Sequence, residues 1–271
     1  MDTQISSDEL LGPLPIMGTC VTPFHSSAHA VECISRRIAE RKRTFCVAIN
    51  GAKLYYARRH PAVATALRAA DFWLCDGICA VLAAWLLQGR RVRRCTDGFL
   101  ESLLAKSEAN RWKVFLLGAS QESNQGAVGY LRENYPALQI AGSRDGYFDN
   151  ATDILGVINQ SGADILVIGM GTPRQELWVA EHLPLLSPLC IVTVGGALDV
   201  LSGTARRAPN IFRKTGTEFV YRLLSEPSKK RWRRLCQVCI AGTDVLAEYV
   251  RLRLSRRHRT DNENKRSVSF H

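Results

Sequence analysis

The sequence predicts an α/β protein with a Rossmann-like, mostly parallel sheet, helices on both faces and a C-terminal basic helical appendage. Short apolar runs rich in β-branched residues alternate with amphipathic segments between residues 16 and 204, which is typical of a parallel sheet. Residues 1–204 carry 19 basic and 19 acidic residues, whereas residues 205–259 carry 15 basic and 4 acidic ones. The formal charge of +11 therefore lies in the C-terminal segment. The predicted organisation is a disordered N-terminus (1–15), an α/β domain (16–204), the appendage (205–255) and a disordered tail (256–271).

The individual elements follow from hydrophobic period and from helix start and stop signals. Predicted strands cover residues 16–22, 44–49, 72–75, 113–117, 138–141, 165–169 and 189–194. Predicted helices cover residues 26–42, 61–70, 78–88, 99–110, 123–134, 152–160 and 174–182. In the appendage, two helices over 211–224 and 228–254 are separated by Glu226 and Pro227.

The segment 164–176 (DILVIGMGTPRQE) is the most distinctive part of the α/β region. A buried strand leads into Gly169 and Gly171, and Pro173 stands where a first helical turn accepts proline. A strand, a glycine turn and a helix N-terminus together favour an anion or phosphate site. A plain strand-to-helix turn is the alternative. The full G-x-G-x-x-G pattern is absent because residue 174 is arginine, which argues against a dinucleotide.

Ligands of parallel sheets bind outside the carboxyl ends of the strands. This rule places Asn50, Asp76, Gly118, Gly171 and Gly195 along the edge of the sheet where the strands have their carboxyl ends. We call this edge the rim. Asp76 directly follows a short buried strand, so its carboxylate can serve as a general base there. Aspartate is also a preferred helix N-cap, and Asp76 precedes the helix predicted over 78–88. Position in the sequence alone leaves both roles open.

Several classes of site are disfavoured by the residues present. Nine cysteines form no repeated pair, and Cys236 with Cys239 is a lone C-x-x-C that does not predict a zinc site. Cys46, Cys75 and Cys190 lie in strand-like runs and suit a reducing cytosol. No signal peptide, no membrane-spanning run and no D-x-D triplet is found in the sequence. We therefore expect no metal and no cofactor.

Without a held metal, a departing diphosphate would need arginines and helix N-termini for charge stabilisation. Arg94 and Arg174 are candidates, with solvated surface arginines as the alternative. The appendage interleaves arginine with apolar residues such as Trp232 and Leu235, a pattern that predicts binding to an anionic membrane surface. Packing of the appendage on the sheet is the alternative. A nucleic-acid module is a rival interpretation of the same charge, but the segment contains no reader motif.

The order and spacing of several motifs resemble the WecG/TagA/CpsF glycosyltransferase family over residues 44–234. The matching pieces are Asn50 and residues 76–77 (DG), 115–118 (FLLG), 145–148 (DGYF), 169–176 (GMGTPRQE), 194–200 (VGGALDV), 203 (G), 206–209 (RRAP) and 218–227 (EFVYRLLSEP).

The resemblance implies a metal-independent, inverting transfer from a UDP-sugar to a polyprenyl-diphosphate-linked sugar on the cytoplasmic membrane face. Asp76 would then be the general base, and Asn50 and Gln175 would hold the sugar or the acceptor. Other implied donor-site residues are Gly77, Arg94, Gly118, Tyr147, Gly169, Gly171, Thr172, Pro173, Arg174, Glu176, Gly195, Gly196 and Asp199. Implied acceptor or membrane contacts are Arg207, Arg213, Arg222, Arg231, Arg233 and Arg234.

Two departures from the family pattern concern the predicted sugar side of the pocket. Ala48 stands where the family usually has threonine. The family's Arg-x-x-Gly-x-Asp pattern is reduced here to residues 94–97 (RCTD), so Arg93 and Arg94 both remain candidates for the family arginine. The donor sugar, with N-acetylmannosamine, its uronic acid and glucose as candidates, and a homo-oligomeric state are left open by the sequence.

Overall fold

A parallel β-sheet of six strands forms the centre of the structure. The computed structural model describes residues 12–268, with side chains described up to residue 255. The strands are β1 (Leu14–Ile16), β2 (Thr19–Val21), β3 (Thr44–Ile49), β4 (Phe72–Cys75), β5 (Lys113–Gly118), β6 (Gln139–Arg144), β7 (Ile165–Gly169) and β8 (Cys190–Thr193). The six-stranded sheet has the order β4-β3-β8-β7-β5-β6, and all its pairings are parallel.

Helices flank this sheet, which confirms the predicted fold class. They are α1 (Ser27–Ala39), α2 (Gly51–Arg59), α3 (Pro61–Arg68), α4 (Gly77–Gln88), α5 (Phe99–Ala109), α6 (Gln121–Asn134), α7 (Ala151–Gln160), α8 (Arg174–His182), α9 (Ala197–Leu201), α10 (Asn210–Thr215), α11 (Glu218–Ser225) and α12 (Lys229–Val268). Strands β4, β7 and β8 are buried along their whole length. Cys46, Cys75 and Cys190 are buried free thiols within strands, as predicted.

The start of the chain differs from the prediction. The single strand expected over residues 16–22 is a hairpin, in which Ile16 pairs with Thr19. Met17 and Gly18 form its turn with φ values of 44° and 84°, and two residues at positive φ are what a tight antiparallel turn requires. The strand begins at Leu14, inside the N-terminal segment predicted to be disordered (1–15). The first eleven residues of that segment lie outside the described residues.

The appendage also differs from the prediction. Its first helix is interrupted at Gly216, whose φ of 73° ends α10 in a left-handed conformation. Its last helix continues to Val268, through most of the tail predicted to be disordered (256–271). No glycine or proline follows Gly242 in the sequence, so nothing in the chain enforces a stop. Residues 269–271 of that tail lie outside the described residues.

Helix α12 packs mainly on helices α2 and α4, and also on α11. Ala241 and Val245 are buried in this contact. The Arg59 guanidinium makes two hydrogen bonds to the Asp244 carboxylate, at 2.6 and 3.2 Å. The appendage is therefore attached to the elements that immediately follow β3 and β4.

Glycines at the carboxyl ends of β5 and β7 allow their backbones to approach closely. A Cβ atom on Gly118 would lie 2.5 Å from the carbonyl carbon and oxygen of Gly169, and the φ of Gly118 is 128°. We expect Gly118→Ala to lower the free energy of unfolding by about 2–4 kcal/mol, because it combines backbone strain with overpacking. Urea unfolding followed by circular dichroism measures this. Gly129 in α6 has open space around a Cβ, so Gly129→Ala is the control and should stabilise by about 0.4–1 kcal/mol.

Candidate active site

Asp76 lies at the carboxyl end of β4, beside Asn50 at the end of β3. The parallel register pairs Ile49 with Cys75, so the two residues that follow are neighbours. The Asn50 amide donates to Asp76 Oδ2 at 3.1 Å, and the Thr96 hydroxyl donates to Asp76 Oδ1 at 2.8 Å. The Asp76 side chain makes no capping hydrogen bond to α4. Asn50 and Thr96 therefore orient the Asp76 carboxylate, which does not cap α4.

The turn between β7 and α8 is connected to this rim through a buried polar network. Gln175 Oε1 accepts from the Gly171 N–H at 3.0 Å, and Gln175 Nε2 donates to Glu176 Oε1 at 2.6 Å. The same Glu176 oxygen pairs with Lys53 Nζ at 2.8 Å. The Lys53 N–H in turn donates to Asn50 Oδ1 at 3.3 Å. These contacts join the Asp76 rim to the Gly171 turn across β3, β8 and β7.

This network changes the expectation for Gln175 and Glu176. Their exposed fractions are 1% and 0%, and both ends of the Gln175 amide bind protein atoms. Both side chains therefore hold the turn through contacts with protein atoms. Glu176 Oε2 is buried without a hydrogen-bond partner in the structure.

The glycines of the rim fall into two groups. Gly118 and Gly169 have protein backbone directly against the position of a Cβ atom, so they serve close packing. Gly171 and Gly195, with φ values of 80° and 59°, have nothing within 4 Å of such an atom. The second group borders open space, and a ligand can approach its backbone.

Other residues predicted for the donor site are spread along the same edge. Tyr147, after β6, is 76% exposed. Thr172 and Pro173 are joined by a cis peptide bond and are half-buried. The Arg174 guanidinium lies over the Phe148 ring at 5.6 Å. Asp199 Oδ2 would lie 3.5 Å from a Cβ atom on Gly196.

Helices α10 and α11 approach the rim above Asp76. A Cβ atom on Gly77, whose φ is 69°, would lie 3.7 Å from the carbonyl oxygen of Gly216. Arg94 donates to the carbonyl oxygens of Arg213 and Lys214 at 2.5 Å each. The structure thus uses Arg94 to hold α10 against the rim, whereas Arg93 is exposed.

Three of the six arginines predicted for the appendage form ion pairs with carboxylates. Arg207 pairs with Glu101 at 2.5 Å, Arg213 pairs with Asp97 at 3.1 Å, and Arg231 pairs with Glu226. Arg222, Arg233 and Arg234 form no ion pair with the side chains that the structure describes. A Cβ atom on Gly196 would lie 3.2 Å from Arg222 Nη1, which places that guanidinium at the β8 end of the rim.

Arg234 is half-buried near the start of α12. Burial lowers its pKa, against the opposing influence of the Glu176 and Asp76 charges. It makes no hydrogen bond with any group in the described part of the chain.

Glu218 lies in the first turn of α11. Burial, followed by the Asp76 charge, raises its pKa. A carboxyl group whose pKa is higher in the folded state adds stability at acidic pH, and that contribution is lost as pH rises through the folded-state pKa. We therefore expect Glu218→Gln to raise the melting temperature at pH 7–8, with the difference vanishing towards pH 4. Melting curves of both proteins across this range measure it. An equal difference at pH 4 and pH 8 would contradict this assignment.

The described side chains offer neither a metal centre nor a membrane span. Between residues 12 and 255, no group of three or more His, Cys, Asp or Glu side chains could hold a metal ion. None of the described helices has a stretch that is long and apolar enough to cross a bilayer.

Fold and site together define a parallel α/β protein with an oriented carboxylate at the carboxyl edge of its sheet. Three arginines of the appendage have no ion-pair partner among the side chains that the structure describes. The chain belongs to the glycosyl transferase WecG/TagA/CpsF family, whose pattern matches residues 15–258. It is 31% identical over 209 residues to an N-acetylglucosaminyldiphosphoundecaprenol N-acetyl-beta-D-mannosaminyltransferase of Bacillus spizizenii. That match covers 76% of this chain and 80% of the relative.

Two residues of the site were not anticipated from the sequence. Thr96 was recognised only as part of a shortened motif, although it donates to the Asp76 carboxylate. Lys53 was not singled out at all. The sequence contains a hint of this role, because Lys53 stands three residues after Asn50. Residues three apart in a helix lie on the same face.

Proposed function

We propose that this protein transfers a sugar from a UDP-sugar to a polyprenyl-diphosphate-linked sugar by an inverting, metal-independent displacement. The product would serve bacterial cell-surface polysaccharide synthesis. The observation that carries the proposal is the Asp76 carboxylate, which Asn50 and Thr96 fix at the carboxyl end of β4. Family membership supports it, as does the name of the relative, whose acceptor is a diphosphoundecaprenol-linked sugar.

In the proposed reaction, Asp76 takes the proton of the acceptor hydroxyl. The acceptor oxygen attacks the anomeric carbon of the donor sugar, and the bond between that carbon and the UDP oxygen breaks on the opposite face. Asn50 and Thr96 restrain the carboxylate, so less entropy is lost in orienting it when the substrates bind. Transfer of the proton from Asp76 to solvent completes the cycle.

The donor would lie along the rim from β4 towards β7. These strands are three positions apart in the sheet, which corresponds to roughly 14 Å at a spacing of about 4.8 Å. The open backbone at Gly171 and Gly195 supports an approach of the nucleotide there. The anomeric carbon would then face Asp76.

Arginine side chains would stabilise the charge that develops on the departing diphosphate. Arg222 and Arg234 come from two appendage helices and lack carboxylate partners among the described residues. Guanidinium groups bind phosphate oxygens with short, charge-assisted hydrogen bonds. They supply positive charge where other transferases place a metal ion.

The appendage would also bring the enzyme to the cytoplasmic face of the membrane. Arg233 and Trp232 are exposed on α12, with Trp232 at 56%. Basic residues near an anionic bilayer contribute on the order of 1 kcal/mol each. Sedimentation with anionic vesicles should therefore retain the full chain and lose a chain cut after Thr204. Equal binding of the two would contradict this part of the proposal.

A panel of UDP-sugars with a polyprenyl-diphosphate-linked N-acetylglucosamine acceptor tests the proposed function. N-acetylmannosamine, its uronic acid and glucose are the donors to compare. We expect one donor to support transfer and the rate to be unchanged by EDTA. Loss of transfer in EDTA would overturn the metal independence. Quenching of NAD(P)H fluorescence, or retention of nucleic acid on filters, without transfer from any donor would favour a different class of function.

A further inference from the structure

Helix α4, which begins directly after Asp76, is apolar on all sides and is nevertheless partly exposed. Its sequence over Gly77–Gln88 contains no charged residue. Ile78, Leu82 and Trp85 are exposed by 38%, 38% and 45%. They stand at positions i, i+4 and i+7 and therefore form one stripe along the helix. A helix that is hydrophobic all round is normally covered.

Helix α12 lies beside α4 and runs in the same direction. The Cys79 thiol donates to the Val238 carbonyl oxygen at 3.7 Å near the start of this contact. At its far end, Trp85, Gly89, Tyr249, Leu252 and other residues line a pocket of about 350 Å³. On the outward side of α12, Leu246, Val250 and Leu254 are exposed. Both helices therefore carry exposed apolar side chains.

Positive charge borders these apolar surfaces at the end of α4. Arg90, Arg91 and Arg93 are exposed in the loop that follows the helix. Arg251 and Arg253 are exposed at the corresponding level of α12, where Arg253 lies over the Tyr249 ring. Apolar residues with a tryptophan, bordered by arginines, are the composition that inserts into the interface of an anionic bilayer.

We propose that the stripe formed by Ile78, Leu82 and Trp85 docks the α/β domain itself on an anionic lipid bilayer. Helix α4 would lie in the interfacial plane, with the arginines of the following loop among the lipid headgroups. Because α4 starts one residue after Asp76, this docking would orient the carboxylate towards the membrane edge. The orientation rests on the proposed function, whereas the docking itself does not.

Partitioning onto vesicles of phosphatidylglycerol and phosphatidylcholine tests the inference. We expect the double variant Leu82→Gln, Trp85→Gln in the full chain to partition about tenfold more weakly than the unchanged protein, because it removes two apolar side chains from the interface. Val157→Gln with Leu185→Gln is the matched control. Those residues are exposed by 52% and 62% and belong to α7 and the segment after α8, towards the opposite edge of the sheet.

A second measurement locates Trp85 directly. Lipids brominated in the acyl chain should quench tryptophan fluorescence of the bound protein, and Trp85→Phe should remove a large part of that quenching. Unchanged partitioning of the α4 double variant, or an equal loss in the control, would overturn the proposal. A change in oligomeric state on sedimentation, with vesicle binding unchanged, would instead assign the stripe to contacts between copies of the chain and would also overturn it.

The proposed transfer reaction can fail independently of this docking. Transfer to a short-chain, water-soluble acceptor requires no bilayer, so the α4 double variant should retain the rate of the unchanged protein with that acceptor. If neither protein transfers any sugar while vesicle binding still depends on α4, the function is wrong and the docking stands. If both transfer equally and bind vesicles equally, the docking is wrong and the function stands.

Discussion

Replacing Asp76 by asparagine is expected to lower the turnover number for sugar transfer by about 10²–10⁴-fold, the usual contribution of a positioned general base. Asparagine is nearly isosteric with aspartate, so the side chain can still contact Asn50 and Thr96. It cannot accept the proton of the acceptor hydroxyl. The Michaelis constant for the donor should change little, because the donor is bound mainly by other parts of the rim. Steady-state rates with saturating donor and acceptor measure the effect.

A matched control exists at the other end of the same strand. Asp71 immediately precedes β4, accepts from the Phe45 N–H at 2.8 Å and pairs with Arg37 at 3.0 Å. Asp71→Asn should affect stability and leave the turnover number near its original value. Wild-type turnover in Asp76→Asn, or an equal loss in Asp71→Asn, would remove Asp76 from the proposed chemistry.

Breaking the buried Lys53–Glu176 ion pair is expected to have the largest effect on stability. Lys53→Met should cost about 3–5 kcal/mol, because it leaves the Glu176 carboxylate buried without a cation partner. Lys53→Met combined with Glu176→Gln should recover most of that loss, since no unpaired charge is then buried. Chemical unfolding of both single variants and the double variant forms the thermodynamic cycle that isolates the pair.

The double variant of this cycle can also be assayed for sugar transfer. The pair connects the Asn50 end of β3 with the Gly171 turn, so a stably folded double variant should still show a higher Michaelis constant for the UDP-sugar. An exposed ion pair, Lys106 with Glu32 at 3.1 Å, provides the control, and its removal should cost no more than about 1 kcal/mol. Additive losses in the Lys53–Glu176 cycle would show that the two residues do not act as a pair.

The sequence predicted the sheet well because most of its strands are buried, with the edge strand β6 as the exception. Continuous apolar runs such as 44–49 and 72–75 have few other ways to fold, and their bounds match β3 and β4. Helix α2 was missed because its buried residues include Gly51 and Lys53, which do not resemble a hydrophobic face. The break at Gly216 depends on one left-handed residue inside an otherwise amphipathic run.

The sequence predicted the position of some site residues but not the partners of their side chains. Strand ends and glycine turns can be recognised from sequence, so Asp76 and Asn50 were placed on one rim in advance. The partners of a polar side chain depend on tertiary packing that no local pattern encodes. Gln175 and Glu176 follow a glycine turn, as substrate-binding residues often do, yet both are buried. Gln175 donates to Glu176, and Glu176 pairs with Lys53 from a distant helix. The use of Arg94 to hold α10 is a long-range contact of the same kind.

The anomeric configuration of the transferred sugar tests the central claim most directly. Purified protein, donor and a polyprenyl-diphosphate-linked sugar acceptor are incubated in EDTA, and the product is examined by nuclear magnetic resonance while UDP is quantified. A single displacement assisted by Asp76 predicts one UDP for each glycosidic bond and a configuration opposite to that of the donor. Retention of configuration, or UDP release that does not depend on the acceptor, would contradict it.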